Sequence, residues 1–343
     1  MGPKERFYSL VALFGIGATA GLSCRFQQPD VPSPTPIVRE LLQESEIHPS
    51  WETPIPQTIA PTLTAIPEPL KPAGQTIPVE ISGIGEEPTQ EFTGEAEIPS
   101  YEIPPSKSWE ELNQNLQKEI DNFPGIAAFS FVDLKTGKGI SINGEMSFYP
   151  FSTVKCLILV SVLRDIQSGL YSLDDVESTI ESMMTYSDNT AADELIEQTG
   201  IEKIHDLVPA LGMENSGFFN GFELDGPYMG YGLNYSTTSD LALFWTKLYR
   251  GEILSPEFTS LALSFARMPE TRIIYSGQEA QVSHKPGYYY DNYLLDAGVV
   301  MTADGAYSVG FYGQDEEGLS YDLGNRLTQM VWDFWQSQNG TKE

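Results

Sequence analysis

Proline recurs every few residues along one stretch of the chain (Pro29, Pro32, Pro34, Pro36, Pro54, Pro56, Pro61, Pro67, Pro69, Pro72), and this decides which part can fold. Each proline removes a backbone donor and biases the residue before it toward extended conformations, so helices and sheet ladders do not propagate through such a segment. From Arg25 to Ser106 the prolines alternate with Glu, Thr and Ile, and the scattered apolar residues follow no period of 2 or 3.6. Residues 25–106 therefore read as a disordered, semi-stiff acidic spacer, with a coil span of roughly 50 Å. Such a spacer either holds a domain away from a membrane or is a passive linker.

Residues 1–24 have the layout of an export signal. Lys4 and Arg6 form a basic start, and Tyr8 to Leu22 is an apolar run rich in Ala and Gly. The run is shorter than the roughly 20 residues of a membrane-spanning helix. It ends in Gly21-Leu22-Ser23-Cys24, similar to a lipoprotein processing site except that Gly21 stands where Leu is usual. The expectation is an extracytoplasmic protein, secreted or held at the membrane by this segment or by a lipid on Cys24.

The chain carries 48 acidic and 19 basic residues, a formal charge of -29. That charge repels nucleic acid and anionic lipid, so a polyanionic partner is not expected. Cys24 lies in the leader and Cys156 at the start of an apolar helix, which argues against an internal disulfide. The histidines His48, His205 and His284 are scattered, and no metal-ligand spacing occurs. No metal or organic cofactor is expected, and the domain is expected to be a monomer.

Order resumes within 107–343. Trp109, Leu112, Leu116 and Ile120 make a helical stripe. Ile126–Leu134 and Gly139–Ile142 read as strands joined by the turn Lys135–Lys138. A long apolar helix runs from Ser152 to near Gly169, followed by helices over Leu173–Met183, Thr190–Gln198, Ile201–Val208 and Ser239–Tyr249, the last capped by Thr238. Strands return at Ala280–His284, Leu294–Thr302 and Tyr307–Tyr312, with a hairpin turn at Ala303-Asp304-Gly305, and Leu323–Trp335 is a closing amphipathic helix. This order implies an α+β domain whose antiparallel sheet mixes both ends of the segment.

Three short motifs stand in order: Ser152-Thr153-Val154-Lys155, Ser187-Asp188-Asn189 and Lys285-Pro286-Gly287. A serine hydroxyl becomes a nucleophile when a neighbouring base takes its proton, and Lys155 lies on the same helix face as Ser152. The helix dipole and burial disfavour an ammonium there, which would free Lys155 to act as base. Backbone N–H groups at the helix start would favour an oxyanion. The bland alternatives are an N-cap serine with a surface lysine, a capping turn, and a basic residue ending an edge strand.

Taken together the motifs resemble the class A β-lactamases and penicillin-binding D,D-peptidases, over roughly Trp109 to the C-terminus. The resemblance implies a β-lactamase/transpeptidase-like fold, an antiparallel sheet flanked by helices plus an all-helical subdomain. It also implies Ser152 as nucleophile, Lys155 as its proton-handling partner, and Ser187 as relay to the leaving nitrogen. Asn189 would hold the substrate amide, Asp188 would orient its loop, Lys285 would bind a substrate carboxylate, and Gly287 would leave room for the acyl chain. Pro286 replaces the usual Thr or Ser and removes a hydroxyl contact to that carboxylate.

Deacylation divides the possible readings. Class A enzymes carry a Glu, with Asn four residues later, to hold the hydrolytic water. Glu223 lies near the expected place, but Pro227 stands where Asn is expected; Asn220, Asp225 and Asn234 are other polar candidates. One reading is a β-lactamase-like serine hydrolase. A second is a D,D-peptidase acting on peptidoglycan peptides, with a long-lived β-lactam adduct. A third is a catalytically idle, surface-tethered binding domain, which would tolerate Ser152→Ala.

Overall fold

The computed structural model describes residues 101–222, 233–269, 271–289 and 292–339. The export segment with Cys24, the spacer up to residue 100, and Glu223, Asp225 and Pro227 lie outside the described residues. Residues 101–106, which the sequence assigns to the spacer, are docked. Gln329 accepts from the Tyr101 N–H at 2.8 Å and returns a bond to its carbonyl at 2.7 Å, and Ser106 is buried.

The first helix, α1 (Trp109–Asn122), is capped by Ser108, whose side chain accepts from the Glu111 N–H. It leads into β1 (Ile126–Asp133) and β2 (Gly139–Ile142). After the helical middle of the chain come β3 (Gln281–Tyr289), β4 (Tyr293–Thr302), β5 (Gly305–Gln314) and a final helix of 20 residues, here α8 (Ser320–Asn339). The five strands lie in the order β2-β1-β5-β4-β3. Among the described residues the strands pair antiparallel, with Ala128 opposite Tyr312 and Lys285 opposite Ala297. The sheet thus joins the two ends of the domain through β1 and β5, as an α+β fold.

Alternation along the strands assigns the two faces. Phe129 and Phe131 of β1, with Tyr307, Val309 and Phe311 of β5, pack against Leu112, Leu116 and Ile120 of α1 and Leu327, Val331, Phe334 and Trp335 of α8. The opposite face meets a helix we label α6 (Thr238–Tyr249). Gly310 permits this approach, because a Cβ there would sit 2.7 Å from the Thr238 carbonyl oxygen. The remaining helices, α2 (Lys155–Gln167), α3 (Glu177–Thr185), α4 (Asn189–Thr199), α5 (Ile201–Ala210) and α7 (Pro256–Phe265), form the helical subdomain around the apolar α2.

Local chemistry moves several expected boundaries. The stretch Phe151–Val154 is a 3-10 turn, and the α-helix begins at Lys155. A Ser172/Asp175 capping box closes a separate 3-10 turn at Leu173–Asp175 before α3. Thr237, not Thr238, caps α6 by accepting from the Asp240 N–H at 3.1 Å. Strand β3 continues to Tyr289, which puts Lys285-Pro286-Gly287 in its middle; its place at the sheet edge tolerates the proline. Helix α7, absent from the sequence reading, starts with Pro256 in its first turn and buries Leu261, Ala262 and Phe265.

Trp335 is 1% exposed and packs on Tyr307 with ring centroids 5.7 Å apart, and its indole N–H has no hydrogen-bond partner among the described residues. Trp335→Ala should cost about 3–5 kcal/mol of stability. Trp335→Phe should cost clearly less, since it keeps a ring and removes an unsatisfied buried donor. Urea unfolding of the two variants checks both values.

Candidate active site

The three motifs converge at the junction of the sheet and the helical subdomain. Ser152 lies in the 3-10 turn that feeds α2, with Phe151 before it at φ 46. Left-handed backbone at a non-glycine residue costs free energy and persists only where the surroundings enforce it. Strand β3 supplies the enforcement. A Cβ on Gly287 would lie 3.0 Å from the backbone nitrogens of Ser152 and Thr153 and 3.1 Å from the Pro150 carbonyl oxygen. The sequence reading gives Gly287 the task of leaving room for a substrate chain. The structure gives that space to the backbone of the Ser152 turn.

Lys155 and Lys285 are both essentially inaccessible to solvent. Lys155 Nζ donates to Asn189 Oδ1 at 2.6 Å and to the Ser187 carbonyl oxygen, and it lies 3.4 Å from Ser187 Oγ. The ring of Phe222 sits 4.5 Å below the same nitrogen. These acceptors and an aromatic face are the surroundings a buried ammonium requires, whereas the sequence reading emphasises a neutral lysine. From the strand side, Lys285 Nζ donates to Ser187 Oγ at 3.1 Å and reaches its neighbouring Pro286 carbonyl at 3.5 Å.

The Ser187 hydroxyl is therefore the meeting point of the site. A serine oxygen has two lone pairs and one proton to give. With both lysines donating, the lone pairs are taken and the O–H must be directed to a third group. Ser187 itself has φ 59, a second left-handed non-glycine residue at this site.

Asp188 explains how that conformation is held. Its side chain caps α4 through the Ala191 N–H at 3.1 Å and accepts from Ser182 Oγ at 2.7 Å. Burial pushes its carboxyl pKa up, but bonds from Ser182, Ala191 and Thr190 and the Lys155 charge outweigh burial, and the net shift is downward. Asp188 thus orients its loop as expected. Asn189 opens α4 with its Oδ1 on Lys155.

Two features have no signal in the motifs. The first is Phe222, whose N–H donates to Asp193 Oδ1 of α4 at 2.7 Å. The second is a clasp: Asn234 Oδ1 accepts from the Phe219 and Asn220 N–H groups at 2.7 and 3.0 Å, and its Nδ2 donates to the Asn220 carbonyl at 3.0 Å. Asn220 and Asn234, two of the polar candidates from the sequence, are here buried at the base of a loop. Cys156 is a free, buried thiol whose pKa is pushed up by burial against the opposing charge of Lys285. On the far face of β3, His284 Nδ1 meets Asp296 at 2.8 Å.

The sign of the Asp188 shift sets an acid limit. A carboxylate whose folded pKa is depressed adds stability that is fully present above its unfolded value, about 3.9, and lost as pH falls through the folded value. Asp188→Asn should therefore melt below the parent at pH 7, and the gap should close as pH drops below about 4. Thermal unfolding across pH 2.5–7 measures it.

The geometry agrees with comparisons to known proteins. No curated protein matches the chain. Among solved structures, PBP-A is 24% identical with a TM-score of 0.60, covering 68% of this chain and 99% of its own. A mutant of PBP-A in its acyl-enzyme complex with penicillin G is 23% identical, with a TM-score of 0.59 over 68% and 100%. A β-lactamase from Sphaerobacter thermophilus is 19% identical, with a TM-score of 0.59 over 69% and 100%. At these identities the likeness is one of fold. A family model described as "Beta-lactamase enzyme family" matches residues 111–177 and 175–335, which is most of the folded part, and the chain belongs to that family.

Proposed function

We propose that this chain is an exported serine hydrolase whose Ser152 is acylated by a β-lactam, with hydrolysis of the resulting ester completing the cycle. The observation that carries this reading is the Ser187 hydroxyl accepting from both Lys155 and Lys285. A merely structural serine has no need of two buried ammonium groups, and each would be costly there without a use.

In this mechanism Ser152 Oγ attacks the carbonyl carbon of the ring amide, forming a C–O bond. Its proton passes to Lys155 as Lys155 passes one of its own to Ser187. Ser187 in turn gives its proton to the leaving nitrogen as the C–N bond breaks. Lys155 ends with the charge it began with, which suits the ammonium-type surroundings of Nζ. Backbone N–H groups at the nucleophile turn and the start of α2 stabilise the oxyanion. Lys285 faces the substrate carboxylate, and the amide of Asn189, its oxygen held by Lys155, offers N–H donors to the substrate carbonyl. Water then attacks the ester, Ser152 regains its proton, and the opened acid leaves. Glu223 is the proposed base for that step. No cofactor takes part.

A second reading has specific support. Pro286 offers no hydroxyl to a substrate carboxylate, and the side chain of Asn234 is occupied at the loop base by the backbone of Phe219 and Asn220 rather than available for a water. Both features favour a D,D-peptidase acting on peptidoglycan peptides, which forms the same acyl-enzyme with β-lactams but releases it slowly. An N-terminal export signal, a spacer and a membrane tether, through the leader or a lipid on Cys24, would suit either enzyme at the cell envelope.

The test is intact mass of the full chain over time after mixing with benzylpenicillin, beside Ser152→Ala. A transient adduct of drug mass with accumulating penicilloic acid is the expected result. An adduct persisting for hours favours the peptidase, and an adduct retained in Ser152→Ala, or none in the parent, overturns both.

A further inference from the structure

Four aromatic side chains crowd the back of the nucleophile turn. Phe151 stacks on Tyr289 of β3 with centroids 5.8 Å apart and planes at 11°. Tyr149 meets Phe151 edge-on at 4.9 Å. Tyr293, at the start of β4, lies 5.7 Å from Phe151 and 6.2 Å from Tyr289. Phe151, Tyr289 and Tyr293 are only half-buried and lie outside the domain core, so the fold does not depend on them as it depends on Trp335 or Phe129.

Their place in the sequence gives them a different task. Phe151 immediately precedes Ser152 and holds a φ of 46, a backbone conformation an L-residue adopts only under constraint. Side chains two apart on a strand share a face. Tyr289 therefore follows Lys285 and Gly287 on the face of β3 that meets Ser187 and the nucleophile turn. Gly287 lets the strand backbone approach that turn, and the Phe151–Tyr289 stack closes over the approach from the next position along. Aromatic stacks of this geometry are favourable beyond the area they bury.

We propose that Phe151 and Tyr289 are positioning residues. Their stack locks the strained turn onto β3 and so fixes the direction in which Ser152 Oγ points. This rests on the reading of Ser152 as nucleophile. The ring of Phe151 acts as the handle by which β3 holds residue 151 left-handed. A side chain of similar bulk without a flat face leaves the turn free to relax, and the hydroxyl swings out of line with its proton acceptor and target. Misplacement of a reacting group by about 1 Å costs on the order of 100-fold in rate.

Two reagents separate this inference from the function it rests on. Benzylpenicillin reports acylation, and a fluorophosphonate, which phosphonylates activated serines with loss of fluoride, reports Ser152 reactivity without β-lactam recognition. Both are measured on the full chain as limiting rate and half-saturating concentration, alongside the melting midpoint. Phe151→Leu and Tyr289→Leu should each lower the limiting rate with both reagents by about tenfold or more, with half-saturation and melting little changed. Phe151→Gly accepts the left-handed backbone without strain but has no ring, and it should be slow too. Tyr289→Phe keeps the stack and should restore the parent rate. Parent-like rates in either leucine variant would overturn the proposal, as would a slowing that Tyr289→Phe shares with Tyr289→Leu. If penicillin leaves the parent unmodified while the fluorophosphonate labels Ser152, the β-lactam reading falls and the phosphonylation rates still decide the clamp. A parent whose Ser152 reacts with neither reagent overturns both.

Discussion

Two buried ammonium groups directed at one hydroxyl are the constraint around which the domain is arranged. Lys155 arrives from the first turn of α2 and Lys285 from the middle of β3, and both reach Ser187 Oγ. Like charges that share one acceptor repel each other in a protein interior, so the arrangement stands only where other groups compensate. Asp188 supplies a carboxylate held ionised by its capping bonds and by the charge of Lys155. Asn189 and the Ser187 carbonyl supply acceptors, and Phe222 an aromatic face. The left-handed backbone at Ser187 then follows, since one residue must present both its carbonyl and its hydroxyl to Lys155 while its neighbour caps α4.

The same logic explains why β3 is an edge strand with a proline in it. The strand must bring Lys285 to Ser187 and pass within van der Waals contact of the Ser152 turn two residues later. A side chain at 287 or a neighbour on the outer edge would obstruct that route. Pro286 lacks an N–H, and at an edge position that lack breaks no ladder on the open side. Behind the strand, His284 and Asp296 are paired, and Asp296 also accepts from the Ile273 N–H at 3.0 Å. The far face of β3 is therefore anchored while its near face meets Ser187 and the Ser152 turn.

Much of this was legible in the sequence, for physical reasons. The stripe Trp109, Leu112, Leu116, Ile120 and the paired strands on either side of Ala303-Asp304-Gly305 are local patterns, and they fell within a few residues of the observed elements. The motif residues Lys155, Ser187, Asn189 and Lys285 are hydrogen-bonded to one another, and the backbone of Ser152 lies against Gly287. What escaped was set by contacts between distant segments. Nothing local to Phe222 says that its ring will face Lys155, 67 positions earlier. Thr237 outcompetes Thr238 as a cap through a half-turn of backbone that neither residue encodes alone. The Ser255-Pro256 start of α7 was a readable signal, but the helix behind it is short and its apolar residues look like loop filler until their burial is seen. Gly287 was recognised as a position needing space, while the occupant of that space was a piece of the chain itself.

The loop that begins at Phe222 is tied to the rest of the domain at both of its ends. Its leading end is tied to α4 by the Phe222 N–H on Asp193, with Gly221 pressed so close that a Cβ would lie 2.5 Å from the Asp193 carboxylate. Its trailing end is closed by the Asn234 clasp on Phe219 and Asn220. The leading anchor holds to an element that also carries the motif residues: Asp193 lies one helical turn beyond Asn189, and Phe222 itself covers Lys155. Asp193 thus joins the start of α4, the leading end of the loop and the aromatic face over Lys155 into one unit.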